Sequence, residues 1–362
     1  MKQTLIALAV LGACMSNASA QSAVTIYGII DAGVTRVIND SGSNGSRTTV
    51  EAGQMQVSRW GFRGEEDLGG GLKARFNLEG TLLNDTGGAG VPTGTPSGTS
   101  LFDREATVGL AGNFGALTLG RQNILGINSV GMADPMGLAF AATSPNVLFS
   151  ALNNAAVYGA YGANNGGSAL RQSNSIKYVS PYWKNFGIGL MRAFGEQPGS
   201  TQKNKYEGVS AFYHTGPFGA SAVYARLKNI TASEELKSWA FGARYTGTGF
   251  SLRSTYSTNE VDTTHRKISV FGVGIDVPVA PAVTLTGAVY NTRHTGDAHD
   301  DSQQYIAIAK YAFSKRTTGY ASIGHARTDT VVSATQINLA QGFVSVGSDS
   351  ANRITTGVMH FF

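Results

Sequence analysis

Residues 71–80, GLKARFNLEG, alternate between polar and apolar side chains. The polar set is Lys73, Arg75, Asn77 and Glu79, and the apolar set is Leu72, Ala74, Phe76 and Leu78. Successive side chains of a β-strand point to opposite faces, so the segment is predicted to be a strand with one polar, mostly charged face and one apolar face. Such a strand must place its two faces in two different surroundings.

The alternation recurs along the chain, for example at residues 237–245 (KSWAFGARY), 250–256 (FSLRSTY) and 303–313 (QQYIAIAKYAF). Short and long spacers alternate between these segments, as in barrels whose strands are joined by tight turns at one end and long loops at the other. We count about sixteen candidate strands, which fits a spanning strand of about 9 to 11 residues. No run of about 18 apolar residues occurs, which excludes ordinary transmembrane helices.

The predicted fold is all-β, a transmembrane antiparallel β-barrel of about sixteen strands, because a closed barrel satisfies every backbone hydrogen bond inside lipid. At about this strand number the interior is too wide for side chains to fill and leaves an aqueous channel. The alternative is a soluble β-sandwich or lectin-like domain that buries its apolar face in protein. Aromatic side chains near the strand ends of the apolar face favour the barrel. They are Trp239, Phe241, Tyr245, Tyr305, Tyr311 and Phe313.

The N-terminus has the pattern of a cleavable secretory signal, with Lys2, an apolar stretch and an A-x-A site at residues 18–20. We therefore expect residues 1–20 to be a signal peptide and residues 21–362 to form the exported barrel. The alternatives are a buried N-terminal helix and a lipoprotein signal in which Cys14 is lipidated. Cleavage after residue 20 would leave no cysteine, since Cys14 is the only one in the chain, and disulfides would then play no part.

Charged residues make up 14% of the chain, against roughly 25% in soluble domains. The 28 Lys and Arg residues slightly outnumber the 23 Asp and Glu residues, and no polybasic run occurs. Because the cations are dispersed through alternating segments, the sequence gives little support to nucleic-acid binding.

Common motifs of enzymes and of metal sites are absent from the sequence, which contains no GxSxG, HExxH, GxxxxGK[ST] or CxxC. The segment that includes His294, Asp297, His299, Asp300 and Asp301 holds residue types that ligate metals, but on a polar loop we expect these side chains to be solvated. We therefore expect no enzymatic activity, no cofactor and no metal.

Several stretches resemble the trimeric general porins of betaproteobacterial outer membranes. They are residues 23–34 (AVTIYGIIDAGV), 58–80 (SRWGFRGEEDLGGGLKARFNLEG), 107–122 (TVGLAGNFGALTLGRQ), 314–317 (SKRT) and 357–362 (GVMHFF). The resemblance implies a sixteen-stranded barrel, assembled as a homotrimer, that passes small hydrophilic solutes and ions passively. It also implies a setting of outer-membrane lipid and lipopolysaccharide, and a terminal Phe362 that is presented to the barrel-assembly machinery.

Residues 123–169 lack clean alternation, and a loop longer than about 15 residues is usually functional or disordered. The segment is too apolar for a freely solvated loop. Its apolar residues include Leu125, Ile127, Met132, Met136, Leu138, Phe140, Leu148 and Phe149. It resembles the porin constriction loop, which folds into the barrel and narrows the channel. The alternative is an external loop that packs on a neighbouring molecule.

Porins of this kind carry a cluster of arginines on the wall that faces the constriction loop. Arg59, Arg104 and Arg171 match those positions, and Glu79 matches a further wall position. The resemblance therefore implies a positive constriction that Glu79 partly offsets. We expect Asp134, within the loop, to be the carboxylate opposite the arginines.

Alternation independently turns Arg59 inward with Gly61, while Trp60 takes the other face. An arginine stays charged at any relevant pH, and charges at a narrow, low-dielectric constriction attract anions and repel cations. The alternative is that these arginines are solvated lumen charges without a role in selectivity. Further lumen charges are expected at Arg63, Lys73, Arg75 and Lys177.

These features predict an outer-membrane porin, a passive water-filled channel with weak to moderate preference for anions. Two alternatives stay open at this point. One is a substrate-specific outer-membrane channel, and the other is a surface adhesin or structural β-protein without pore activity.

Overall fold

A computed structural model describes residues 23–39, 45–90, 100–139, 143–149, 158, 161–163, 170–296, 300–333, 339–340 and 343–362. The predicted signal peptide at residues 1–20 and its lipoprotein alternative at Cys14 lie outside the described residues. Parts of the predicted constriction loop, residues 123–169, also lie outside them.

The described residues form eighteen strands and two helices. The strands are β1 Ala23–Ile38, β2 Ser46–Ala52, β3 Arg59–Gly69, β4 Leu72–Leu83, β5 Gly88–Ala89, β6 Glu105–Gly112, β7 Gly115–Asn123, β8 Arg171–Val179, β9 Phe186–Ala193, β10 Tyr206–Thr215, β11 Phe218–Lys228, β12 Glu235–Gly247, β13 Phe250–Val261, β14 Lys267–Ala280, β15 Val283–Thr295, β16 Ser302–Ala312, β17 Thr317–Thr328 and β18 Ser350–Phe361. The helices are α1 Leu125–Ala133 and α2 Pro145–Phe149. Within the described part of the chain, neither helix is long and apolar enough to cross a membrane.

The strands form one closed antiparallel sheet. Each barrel strand pairs with its neighbours in the chain, and β18 returns to pair with β1 from Ile29↔Phe361 to Ile38↔Asn352. Both β2 and β3 pair with β1 and together make the second barrel strand, while β5 only adds two residues beside β4. The described residues therefore form a barrel of sixteen strands, which confirms the predicted fold class.

Side chains alternate between the two faces of the barrel as the period of two predicts. On β12, Trp239, Phe241 and Tyr245 are exposed on the outside, whereas the adjacent Ser238 and Ala240 are buried on the inside. The rings of Trp239 and Phe241 lie parallel, with their centroids 6.4 Å apart. A continuous apolar exterior of this kind is stable only against apolar surroundings.

Connections alternate in length around the barrel. Tight turns lie at one end, for example at residues 70–71, 216–217 and 248–249, and the strand ends joined by longer connections, such as those of β7 and β8 and of β17 and β18, lie at the other. The turn between β3 and β4 depends on glycine, because Gly69, Gly70 and Gly71 all have positive φ (86°, 60° and 81°), a conformation that residues with a Cβ rarely adopt.

The chain terminus closes the seam of the barrel. Gly28 and Phe362 exchange two backbone hydrogen bonds, each with a nitrogen-to-oxygen distance of 3.1 Å. The Phe362 ring lies against Gly28, where a Cβ would meet that ring and would lie 2.6 Å from the carbonyl oxygen of Arg59. The close approach of β1, β3 and the terminal residue therefore depends on the missing side chain at position 28.

We predict that Gly28→Ala lowers the free energy of unfolding by about 1–3 kcal/mol, the usual cost of overpacking a fitted site. The matched control is Gly287→Ala in β15, because no described atom lies within 4 Å of the position that its Cβ would take. Urea titration of the refolded barrels should place the midpoint for Gly28→Ala below that of the control. Equal midpoints would contradict the proposed packing of the seam.

Candidate channel constriction

The described part of the long loop lies inside the barrel, against its inner wall. Helix α1 contacts β9 to β13, and the hydroxyl of Ser221 in β11 donates a hydrogen bond to the carbonyl oxygen of Ser129, at 2.8 Å. The buried apolar side chains of the helix include Leu125 and Val130. The described part of the loop therefore lies on the lumen side of β9 to β13 instead of extending into solvent.

Glycines of the inner wall make room for this loop. A Cβ on Gly242 of β12 would lie 2.7 Å from the carbonyl oxygen of Ser129 and 2.9 Å from the Cβ of Ala133. A Cβ on Gly274 of β14 would likewise lie 2.7 Å from the Cβ of Pro135. Because the wall carries no side chain at these points, the loop packs directly onto the strands.

Asp134 anchors the loop and does not face the channel. Its carboxylate is fully buried and accepts hydrogen bonds from the backbone N–H groups of Met136 (3.0 Å) and Leu138 (2.7 Å). It also accepts bonds from the side chains of Asn146 (2.5 Å) and of Tyr290 in β15 (3.1 Å). Burial raises the pKa of Asp134, against the opposing effect of these donors.

The expectation that Asp134 is the carboxylate opposite the arginines is therefore not supported. Its side chain has no exposed surface and is held by Tyr290 and by atoms of its own loop. The burial of Asp134 could not be predicted from the sequence. The loop lacks a regular period, so no pattern distinguishes a buried acidic side chain from one that faces the lumen.

Glu79 lies next to two of the three predicted arginines. Its Oε1 atom is 2.5 Å from Nε of Arg104 and 4.0 Å from Nη1 of Arg59. Its Oε2 atom accepts a hydrogen bond from the hydroxyl of Tyr27 in β1, at 3.0 Å. The strand register produces this grouping, because Gly61 of β3 pairs with Glu79 and places Arg59 two residues along the same inner face.

Arg171 belongs to the same group without a direct ion pair to Glu79. Arg171 of β8 pairs with Asn123 of β7, and the side chain of Asn123 donates a hydrogen bond to Glu105, at 3.1 Å. Glu105 of β6 in turn pairs with Glu79 of β4. The Arg104 side chain is 9% exposed and the Arg59 side chain is 20% exposed, while Arg171 is buried. The structure thus brings Arg59, Arg104, Arg171 and Glu79 together, with Arg59 the most accessible of the arginines.

The remaining predicted lumen charges line a cavity of about 1050 Å³. Among its lining residues are Tyr27, Arg63, Glu65, Lys73, Arg75, Asn77, Glu79, Glu105 and Lys177. Glu65 is paired with both Lys73 and Arg75, and its single negative charge offsets one of their two positive charges. The Arg63 guanidinium lies 5.0 Å from the ring centre of Tyr27, and Lys177 donates a hydrogen bond to the carbonyl oxygen of Asn123.

Two charged residues near the cluster did not emerge from the sequence. The carboxylate of Asp103 is buried and accepts hydrogen bonds from the N–H and the hydroxyl of Thr81, both at 2.7 Å. Arg121 donates to the carbonyl oxygen of Asp103 at 2.6 Å and to the hydroxyl of Ser173 at 2.9 Å. Alternation does not identify Arg121 as a residue of the inner face, because a register shift between β7 and β8 interrupts the alternation at this position.

His294, near the end of β15, forms a buried pair with Asp300. His294 is 2% exposed, and its Nδ1 lies 2.7 Å from Oδ1 of Asp300, so the prediction that these side chains are solvated is wrong for this pair. Asp297 and His299 lie outside the described residues. Among the residues that are described, no group of three or more side chains is arranged to hold a metal ion.

Comparisons with known proteins agree with this architecture. A family model described as Gram-negative porin matches residues 7–331. Outer membrane porin protein 32 of Delftia acidovorans is 33% identical over 373 residues, covering 99% of this chain and 98% of that protein. The major outer membrane protein P.IB of Neisseria meningitidis serogroup B is 25% identical and covers 90% of this chain and 93% of its own length. A solved structure, the anion-selective porin from Comamonas acidovorans, has a TM-score of 0.79 at 27% identity and covers 94% of this chain and 100% of its own.

We predict that Asp134→Asn loosens the loop, because an amide leaves buried N–H donors unpaired at about 1–3 kcal/mol each. Single-channel recordings should show larger open-channel current fluctuations than the wild type. Asp329→Asn is the matched control, since Asp329 is exposed in an external connection. If Asp134 faced the ions instead, its neutralisation would raise the anion preference and leave the open channel quiet, and that result would contradict the anchoring role.

Proposed function

Because this chain belongs to the Gram-negative porin family, we propose that its barrel is a water-filled channel in the outer membrane that passes small hydrophilic solutes and ions passively and prefers anions. The observation that carries the anion preference is the grouping of Arg59, Arg104 and Arg171 near the carboxylates of Glu79 and Glu105. The similarity to the anion-selective porin from Comamonas acidovorans supports the same sign of selectivity.

The electrostatic balance of this group favours anions moderately. The three permanently charged guanidinium groups stand against two carboxylates, because Glu105 of β6 pairs with Glu79 of β4 and lies beside it. Arg121 and Asp103 nearby add one charge of each sign, which leaves one net positive charge. One net charge about 8 Å from the path of an ion contributes about 1 kcal/mol at an effective dielectric constant of about 40. A preference of several-fold follows, and the low-dielectric wall concentrates the field in the lumen.

We also infer the setting in which the channel works. Residues 1–20 are removed as a signal peptide, residues 123–169 act as the constriction loop, and three copies associate in the outer membrane. The resemblance to trimeric porins and the apolar exterior support this assembly, in which lipid and lipopolysaccharide surround the barrel. The position of Phe362 at the seam supports its role as the residue presented to the barrel-assembly machinery.

The purified protein is predicted to conduct ions stepwise in a planar bilayer and to make liposomes permeable to sugars in order of their size. A substrate-specific channel would instead admit one sugar far faster than others of equal size. A surface adhesin or structural β-protein would show no conductance at all. Either result would contradict a general porin.

Two charge substitutions are predicted to move the reversal potential under a salt gradient in opposite directions. Glu79→Gln should raise the chloride over potassium permeability ratio, because it removes the carboxylate that offsets Arg59 and Arg104. Arg59→Met should lower that ratio, because it removes the most accessible cation of the group.

Glu66→Gln provides the control, since Glu66 is exposed near the turn between β3 and β4. It should leave the permeability ratio unchanged. If Glu79→Gln and Arg59→Met gave reversal potentials equal to that of the control, the proposed charge group would not determine selectivity.

A further inference from the structure

The second barrel strand is interrupted at the level of the constriction. Strand β2 ends at Ala52 and β3 begins at Arg59, and residues 53–58 leave the ladder between them. Gly53 starts the excursion with a positive φ of 69° and donates its N–H to the carbonyl oxygen of Asp31, at 2.8 Å. Strand interruptions beside functional sites commonly serve to redirect a side chain.

Asp31 of β1 orders the interrupting segment. Its carboxylate is fully buried, and its Oδ2 accepts hydrogen bonds from the N–H groups of Met55 (2.6 Å) and Gln56 (2.7 Å). Its Oδ1 accepts a hydrogen bond from the hydroxyl of Tyr320 in β17, at 2.6 Å. Charge-assisted bonds of this kind are roughly twice as strong as neutral ones, so the backbone at residues 55–56 is held firmly to the wall.

The side chain of Gln56 then connects the arginine group to the constriction loop. Its Oε1 accepts a hydrogen bond from Nη2 of Arg59 at 3.0 Å, and its Nε2 donates to the carbonyl oxygen of Gly137 at 3.4 Å. Arg59 also donates from Nε to the carbonyl oxygen of Val57, at 3.0 Å. Two of the nitrogens of the Arg59 guanidinium are therefore bound to the interrupting segment.

Glu79 offers Arg59 a competing partner. Nη1 of Arg59 is 4.0 Å from Oε1 of Glu79, whereas Arg104 already forms a close ion pair with that oxygen. A guanidinium released from Gln56 would move toward the carboxylate, because a closer ion pair is the strongest interaction within its reach. Its charge would then be offset more completely and would act less on passing ions.

We propose that Gln56, held in place by Asp31, is a positioning residue that determines ion specificity by keeping Arg59 apart from Glu79. The inference rests on the proposed function, since it assumes that Arg59 contributes to anion preference. Gln56 carries no charge, so an uncharged side chain joins the residues that determine selectivity. The selectivity of the channel then depends on the interrupted strand as well as on the number of its cations.

The test is a double-mutant cycle read as reversal potentials in planar bilayers. Gln56→Met keeps the length and the net charge of the side chain but removes both of its hydrogen bonds. We expect the chloride over potassium permeability ratio to fall about twofold, as for the partial loss of one charge near the ion path. In an Arg59→Met background the same substitution should have no further effect, because the residue through which it acts is gone.

A matched control comes from Gln303→Met, since Gln303 accepts hydrogen bonds from Arg327 in an exposed pair distant from the arginine group. It should leave the permeability ratio unchanged. Because only inserted, folded channels conduct, a misfolded fraction does not enter the measurement. Asp31→Asn provides a second route to the same outcome, and its effect on the permeability ratio should also depend on Arg59.

The possible outcomes distinguish the role of Arg59 in selectivity from the positioning role of Gln56. If Arg59→Met alone leaves the reversal potential unchanged, the proposed role of Arg59 in selectivity fails. If Arg59→Met lowers the anion preference but Gln56→Met does not, that role stands and the positioning role of Gln56 is overturned. An equal effect of Gln56→Met with and without Arg59 would also overturn it, because Gln56 would then act through its contact with Gly137.

Discussion

Closure of the hydrogen-bonded sheet is the constraint on which the rest of this structure depends. A strand that crosses lipid must pair every backbone polar group, and β18 completes the circle by pairing with β1. Once the sheet is closed, the period of two places apolar side chains outside and polar side chains inside. Glycines such as Gly242 then let the loop that carries α1 lie directly on the inner wall, which leaves the charged side of the lumen open.

The net effect of the charge group at this open side depends on which of its side chains form ion pairs as well as on how many charges it contains. Glu79 contacts Arg104 closely and Arg59 only at 4.0 Å, so the three arginines are not equally neutralised. Arg59 is also the most exposed of them and is bound to the segment that interrupts the second strand. Moderate selectivity is therefore expected from a balance of nearby charges, in which small displacements of one guanidinium matter.

Regular alternation allowed the strands, the two faces and the inward direction of Arg59 to be predicted from the sequence. Features that depend on departures from regularity could not be predicted. Asp134 lies in a loop without a period, Arg121 stands opposite a register shift, and Gln56 lies where the strand leaves the ladder. The pair of His294 and Asp300 was missed for a related reason, because a loop residue that folds back onto a strand end leaves no local pattern.

Fixed charges on the channel wall give the anion preference, so this preference should depend on salt concentration. The Debye length falls from about 10 Å at 0.1 M to about 3 Å at 1 M, so the field of the arginine group should be screened from the ion path at high salt. In planar bilayers, the chloride over potassium permeability ratio is expected to exceed one at low salt and to decline toward the ratio of the free ions as salt rises. A preference for cations, or an anion preference that does not change with salt concentration, would contradict it.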